Sequence, residues 1–207
     1  MNPDPGGRRL EAAQAYDEAM ARRAQGNSVG AAARFAAALH LAEEVGDVPF
    51  QGAVLAEWGH MHQEEYDVHA ARRCYEGALD RFMQAGDPLQ AGLTLFKLGQ
   101  IEQLAGALDR SEERYRSALV CLTPLAAPRA EGLTRASLGQ LLWEQDRPDE
   151  GLLQLVQGLT LLCDAGAPEA DHVRDHIRYW SRRIGRVRYL ELIRSATSDP
   201  HLRTMLE

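Results

Sequence analysis

The sequence predicts an all-α protein, a right-handed α-solenoid of about five antiparallel helix hairpins, and three observations carry the prediction. The chain resembles itself: shifted by 40 residues, its small and aromatic residues fall into register. Apolar residues recur at three- and four-residue steps, as in Leu95, Leu98 and Ile101 and then Tyr115, Leu119 and Leu122, one apolar stripe per helix. Aromatics are only 6% while alanine and leucine abound, which favours helix over sheet.

The register runs as follows, with repeats starting at Ala12, Gly52, Gly92 and Gly132. Position eight holds Ala19, Gly59, Gly99 and Gly139, and position twenty holds Ala31, Ala71, Ser111 and Gly151. Position twenty-four is Phe35, Tyr75, Tyr115 and Leu155; position twenty-seven is Ala38, Ala78, Ala118 and Gly158. A glycine inside a helix costs about 1 kcal/mol against alanine, so Gly59, Gly99 and Gly139 need a tertiary reason. Close helix crossing supplies one, with Ala71 expected opposite Gly59 and Ser111 opposite Gly99.

Turn signals separate the helices: GNS at 26–28, YD at 66–67, AGALD at 105–109 and DRP at 146–148. Asp87 before Pro88 reads as an N-cap followed by proline at the first helical position, and Gly46, Gly86 and Gly166 sit where helices should end. The predicted pairs are 8–25 with 28–45, 48–65 with 68–85, 88–105 with 108–123, 129–145 with 148–165, and 169–184 with 186–197. One folded unit, 1–207, is expected, with repeats 12–51, 52–91, 92–131 and 132–171 and capping helices over 172–207.

Length and composition exclude several classes. A chain of 207 residues, 45% hydrophobic and 26% charged, can bury a substantial core. MNPDPGGRR is followed by no apolar run, and LLQLVQGLTLLC at 152–163 is far short of the roughly 20 residues that span a bilayer. A soluble, cytoplasmic protein is expected. Cys74, Cys121 and Cys163 form no CxxC pair and are expected to be buried, reduced thiols.

The quoted residues resemble the tetratricopeptide repeat family, whose signature is tryptophan or leucine, Leu-Gly, a tyrosine, then alanine, an aromatic, alanine and proline. Repeats two and three carry it best, through Leu55, Trp58, Gly59, Ala71, Tyr75 and Ala78, then Leu95, Leu98, Gly99, Tyr115 and Ala118. The usual tyrosine at position eleven is replaced by Arg22, His62, Glu102 or Leu142, and the usual proline at position thirty-two is absent. A 40-residue period implies a longer second helix, as in the branch found in scaffolds and bacterial regulators.

The resemblance implies that positions two, five, nine, twelve and thirteen of each first helix face a concave groove that binds a protein or peptide. These are Tyr16, Met20 and Arg23; Ala56, His60, Gln63 and Glu64; Phe96, Gln100, Gln103 and Leu104; then Ala136, Gln140, Trp143 and Glu144. The same phase adds His176, Trp180 and Arg183. Amides that both donate and accept suit a peptide backbone, and large aromatics suit an anchoring contact. The alternative is that a later helix covers these aromatics and they belong to the core. The carboxylate-gripping mode of tetratricopeptide domains is disfavoured, because Lys97 is the sole lysine and the groove has no asparagine.

Residues 172–194 hold seven arginines against Asp175 and Glu191, in a chain of formal net charge −7. A solvated cap, a contact with an acidic partner or second copy, and nucleic-acid contact are the three readings; overall acidity and the lack of a recognised motif weigh against the last. Tyr189, Leu190, Leu192 and Ile193 could supply a homodimer patch or simply cover repeat four.

No enzyme, cofactor or metal is expected. HVRDH at 172–176 lacks the glutamate of HExxH, HMH at 60–62 splits its histidines between helix faces, and no GxSxG, P-loop or dinucleotide turn occurs. The function expected is a noncatalytic binding scaffold. The alternative is a sensory or regulatory domain of a larger bacterial protein, suggested by the long period, by a first repeat with no capping helix ahead of it, and by the terminal Leu206-Glu207.

Overall fold

A computed structural model describes residues 5–206; the turn-rich opening MNPD and the final Glu207 lie outside them. Among the described residues there are eleven α-helices and no strand. They are α1 (Pro5–Ala24), α2 (Ser28–Glu44), α3 (Val48–Glu64), α4 (Val68–Ala85), α5 (Pro88–Leu104), α6 (Leu108–Leu122), α7 (Pro128–Glu144), α8 (Pro148–Asp164), α9 (Ala170–Ile184), α10 (Arg186–Ala196) and α11 (Pro200–Leu206). A short 3₁₀ turn, Thr123–Leu125, follows α6.

The helices are punctuated every 20 residues by a residue with positive φ. Gly26, Gly46, Gly86, Gly106 and Gly166 fill five of these points, at φ between 61° and 73°, and Tyr66, Ala126 and Asp146 fill the other three, at 60°, 49° and 60°. The next N–H then reaches five residues back, from Asn27 to Arg22 O, Asp47 to Ala42 O, Asp67 to His62 O, Asp87 to Phe82 O, Ala107 to Glu102 O, Arg147 to Leu142 O and Ala167 to Leu162 O, at 2.9 Å in every case. This bond closes a helix C-terminus and turns the chain, and it demands the left-handed residue just before it.

At four of the next helix starts the same turn also supplies the N-cap. Asn27, Asp47, Asp67 and Asp87 accept from the N–H of Gly30, Phe50, Ala70 and Gln90. Ala107, Ala127 and Arg147 make no such bond.

In the middle hairpins the second helix is not systematically the longer, and α6 has only 15 residues. Helices α3, α5 and α7 have 17 residues, and α4 and α8 have 18 and 17. The expected lengthening of the second helix alone is therefore corrected: the period is two steps of 20.

An alanine at a left-handed position carries steric strain that glycine lacks. Ala126→Gly is expected to raise stability by about 0.5–1 kcal/mol, read as a higher urea midpoint at unchanged slope. A fall would contradict the turn geometry.

The chain groups into two compact units, one to Ile101 and one from Glu102, divided inside α5. In the first unit α1 pairs with α2 and α3 with α4, and α2 lies against α3. Its core joins Ala19, Ala31, Phe35, Ala38, Val54 and Met61. In the second unit α7 pairs with α8, α6 lies on α7, and α9 and α10 close over α8. Leu152, Leu155, Leu159, Leu162, Val173 and Ile177 centre that core.

The periodic glycines act at helix crossings. A methyl group at Gly139 would stand 2.7 Å from Gly151 O, and one at Gly158 would stand 2.7 Å from Gly132 O. Four glycines, two on each helix, thus let the α7 and α8 backbones touch. At Gly59 the nearest atoms are those of Tyr75 and Cys74, at 3.1–3.2 Å, rather than Ala71.

Two other expectations change. Cys163 is exposed and Cys74 and Cys121 only half-buried, because the three occupy different positions in the repeat and so face different ways. Tyr189 and Ile193 are buried in the chain's own core, with Leu190 and Leu192 packed against it, so this patch is already covered. The Tyr189 hydroxyl donates to Leu206 O at 2.9 Å, tying α10 to α11.

Candidate functional site

In the first unit the first helices of repeats one and two meet at their C-terminal ends. Arg23, near the end of α1, donates from Nε and Nη2 to Glu64 at 2.9 and 2.7 Å, and from Nη1 to Glu57 at 2.9 Å. Its Nη2 also lies 2.5 Å from His60 Nδ1. With all three nitrogens engaged, the guanidinium ties α1 to α3, and only 14% of its side chain is exposed. Met20, Ala24, Arg23, Glu57, His60 and Glu64 line an open pocket of about 530 Å³.

The charges there are set by contact and burial. Hydrogen bonding to Arg23 holds the Glu64 carboxyl below the usual carboxylate range. Burial, then the Arg23 charge, pushes the His60 imidazole down, so the ring is neutral at pH 7. A carboxylate whose folded pKa is depressed stabilises the fold above its unfolded value of about 4.3 and loses that contribution as pH falls through the folded value. Arg23→Met is accordingly expected to cost about 1 kcal/mol at pH 7 and less at pH 3, below the unfolded value, compared by urea midpoints. An equal cost at both pH values would contradict the pairing.

The second unit repeats the contact. Gln103 Nε2 donates to both oxygens of Glu144, at 3.0 and 3.1 Å. Arg23 and Gln103 both stand at repeat position twelve, and Glu64 and Glu144 at position thirteen of the repeat that follows. Within each unit, therefore, adjacent first helices bond end to end along one face. Further along, Gln140 Nε2 and His176 Nδ1 are 2.6 Å apart, and Trp143 stacks on Trp180 at 4.2 Å between ring centroids and 16° between planes.

Several expected residues are partly spent on the fold. Gln63 accepts the Tyr75 hydroxyl at 2.9 Å, and Gln103 accepts that of Tyr115 at 3.1 Å, one clasp used in both repeats. Burial pushes both phenols up, so they stay protonated donors. Tyr16 packs edge-on to Phe35 and Phe50, with centroids at 6.1 and 5.6 Å, and Trp180 is buried in the second core. Phe96 and Gln100 are half-buried on α5, with Gln100 Oε1 lacking a hydrogen-bond partner. Leu104 is exposed, Ala136 is buried in the core of the second unit, and Ala56 is half-buried.

The sequence reading missed Glu57, one step outside the phase assigned to the groove, and also Asp149 and Arg188, which pair across 39 residues. No sequence spacing announces that second pair. In the arginine-rich segment Arg174 pairs with Asp171 and Arg178 with Asp175, each within one helical turn, while Arg183 sits 4.8 Å over the Tyr179 ring. Among the described residues no three His, Cys, Asp or Glu side chains gather as a metal-binding set. Nor is any described helix long and apolar enough to cross a membrane.

No protein-family model matches the sequence, and no curated protein does. Solved structures do resemble it. The apo form of RapI superposes with a TM-score of 0.78 at 12% identity, over 95% of this chain and 57% of that one. BtubC (BKLC) from P. vanneervenii superposes at 0.58 with 13% identity, over 98% of this chain and 90% of that one. The likeness shows a helical-repeat fold. This chain spans little more than half the length of RapI.

Proposed function

We propose that the chain is a noncatalytic, tetratricopeptide-type module that binds a protein or peptide along the face of its first helices, as a soluble protein of the bacterial cytoplasm. The observation that carries this reading is the recurring bond from position twelve to position thirteen. It aligns the first helices of neighbouring repeats in each unit and leaves polar and aromatic side chains together on one face. Around that bond lie the chemistries a peptide needs: carboxylates at Glu57, Glu64 and Glu144, amides at Gln103 and Gln140, and the Trp143 ring.

Affinity capture from native lysate followed by mass spectrometry should recover a partner. Its binding should weaken at least tenfold in His60→Ala/Glu64→Ala or in Gln140→Ala/Trp143→Ala. Arg73→Ala/Asp80→Ala, on the exposed surface of α4, serves as the control. A partner that ignores the first two pairs and is lost with the third contradicts the proposal.

A second reading, a sensory or regulatory segment of a larger bacterial protein, draws support from the 57% coverage of RapI. The gene's reading frame decides it: an uninterrupted frame continuing beyond either end supports it, and stop codons at both ends remove it.

A further inference from the structure

Beside the two stacked tryptophans, the second unit holds a cavity of about 370 Å³, lined among others by Trp143, Asp146, Asp149, Arg183 and Arg188. Its hydrogen-bonding groups are unevenly used. Arg188 is bonded to Asp149 Oδ2, and the Arg183 guanidinium is held over the Tyr179 ring. Asp149 Oδ1, by contrast, is buried with no donor among the described residues. Asp146, at the turn, is exposed and makes no ion pair among them. The four charged groups sum to zero charge, so an arriving cation meets a neutral site with one exposed carboxylate, Asp146, and one buried carboxylate oxygen, Asp149 Oδ1, that no donor serves.

We propose that this cavity takes the arginine side chain of a bound peptide or protein segment, with its guanidinium against Trp143 and its N–H groups donating to Asp149 Oδ1 and Asp146. The chemistry selects arginine over the alternatives. A guanidinium is planar and carries five donors in a fixed fork, so it can lie on an indole and bond carboxylates in its own plane at once. An ammonium is a point charge and cannot do both well. A neutral urea of the same shape lacks the charge that a donor-starved carboxylate favours. The volume lies at the low end for ligand pockets, enough for one side chain rather than a whole ligand. Trp143 belongs to the first-helix surface, so this inference rests on the binding function proposed above and names part of its specificity.

The test titrates the full chain with acetyl-arginine amide, acetyl-lysine amide and acetyl-citrulline amide at constant ionic strength, following the indole N–H resonance of Trp143, assigned with Trp143→Phe. A saturable shift with the arginine compound, at least tenfold weaker with citrulline and at least threefold weaker with lysine, is expected. Asp149→Asn and, independently, Asp146→Asn should each weaken it at least threefold. The second variant breaks no ion pair and keeps the test valid if the first destabilises α8. Equal response to arginine and citrulline, no response of Trp143, or indifference to both variants overturns the assignment. Should the arginine assignment fail while a captured partner still protects Trp143, the binding function stands and only its arginine specificity falls.

Discussion

Gly139→Ala is expected to destabilise the second unit by about 3 kcal/mol. A methyl group there would meet the Gly151 carbonyl oxygen at 2.7 Å, with Leu155 Cγ at 2.9 Å and Leu155 N at 3.1 Å. Two of these three atoms are backbone of the facing helix and cannot swing aside, so α7 and α8 must part along their length. Parting them loosens Leu152, Leu155 and Leu159, each fully buried. Gly77→Ala, in α4, is the matched control. Its methyl would meet only the terminal carbons of Leu55, the nearer at 3.3 Å. Alanine's better helix propensity, about 1 kcal/mol, should make that change neutral or stabilising. Urea denaturation of the two variants compares them directly, and equal effects would contradict the close-crossing account.

Phe35→Ala is expected to cost 3–5 kcal/mol, in the range for aromatic deletion from a core. The ring is fully buried and lies 6.1 Å from both Tyr16 and Trp58, edge-on to the first and stacked on the second. Ala31 and Ala38 beside it on the same helix are fully buried and too short to fill the space. Its counterparts Tyr75 and Tyr115 hold the same repeat position. Tyr75→Phe, which removes only the hydroxyl from Gln63, should cost nearer 1 kcal/mol. Thermal melts of both variants separate loss of ring volume from loss of one bond.

The helix pairs were legible because the signals that set them are local and periodic. Gly46, Gly86 and Gly166 have the positive φ their places suggest, and Asp87 caps α5 as read. Tyr66 and Asp146 fall in the YD and DRP turns read from the sequence, whereas Ala126 hid its left-handed turn, since a non-glycine residue there follows from its neighbours' geometry rather than from its own preference.

Much less of the site could be read. Its positions came from repeat phase, but the partners of those side chains lie 36–41 residues away, at distances fixed only when helices pack. Glu57 joins Arg23 because α3 presents it toward α1, and Gln63 and Gln103 are half-committed because tyrosines beneath them need acceptors. Repeat phase shows which face a residue is on. Packing decides whether its hydrogen-bonding groups remain open to a partner.

The most direct test of a first-helix binding face is side-chain oxidative footprinting of the chain with and without its captured partner. Met20 and His60 lie on the proposed first-helix face of the first unit and Trp143 on that of the second; Met83, 66% exposed on α4, and Cys163, exposed on α8, are on second helices. Protection of the first three, with Met83 and Cys163 still reacting at their free rates, is the predicted result. Protection of Met83 and Cys163, with Met20, His60 and Trp143 unchanged, would contradict it.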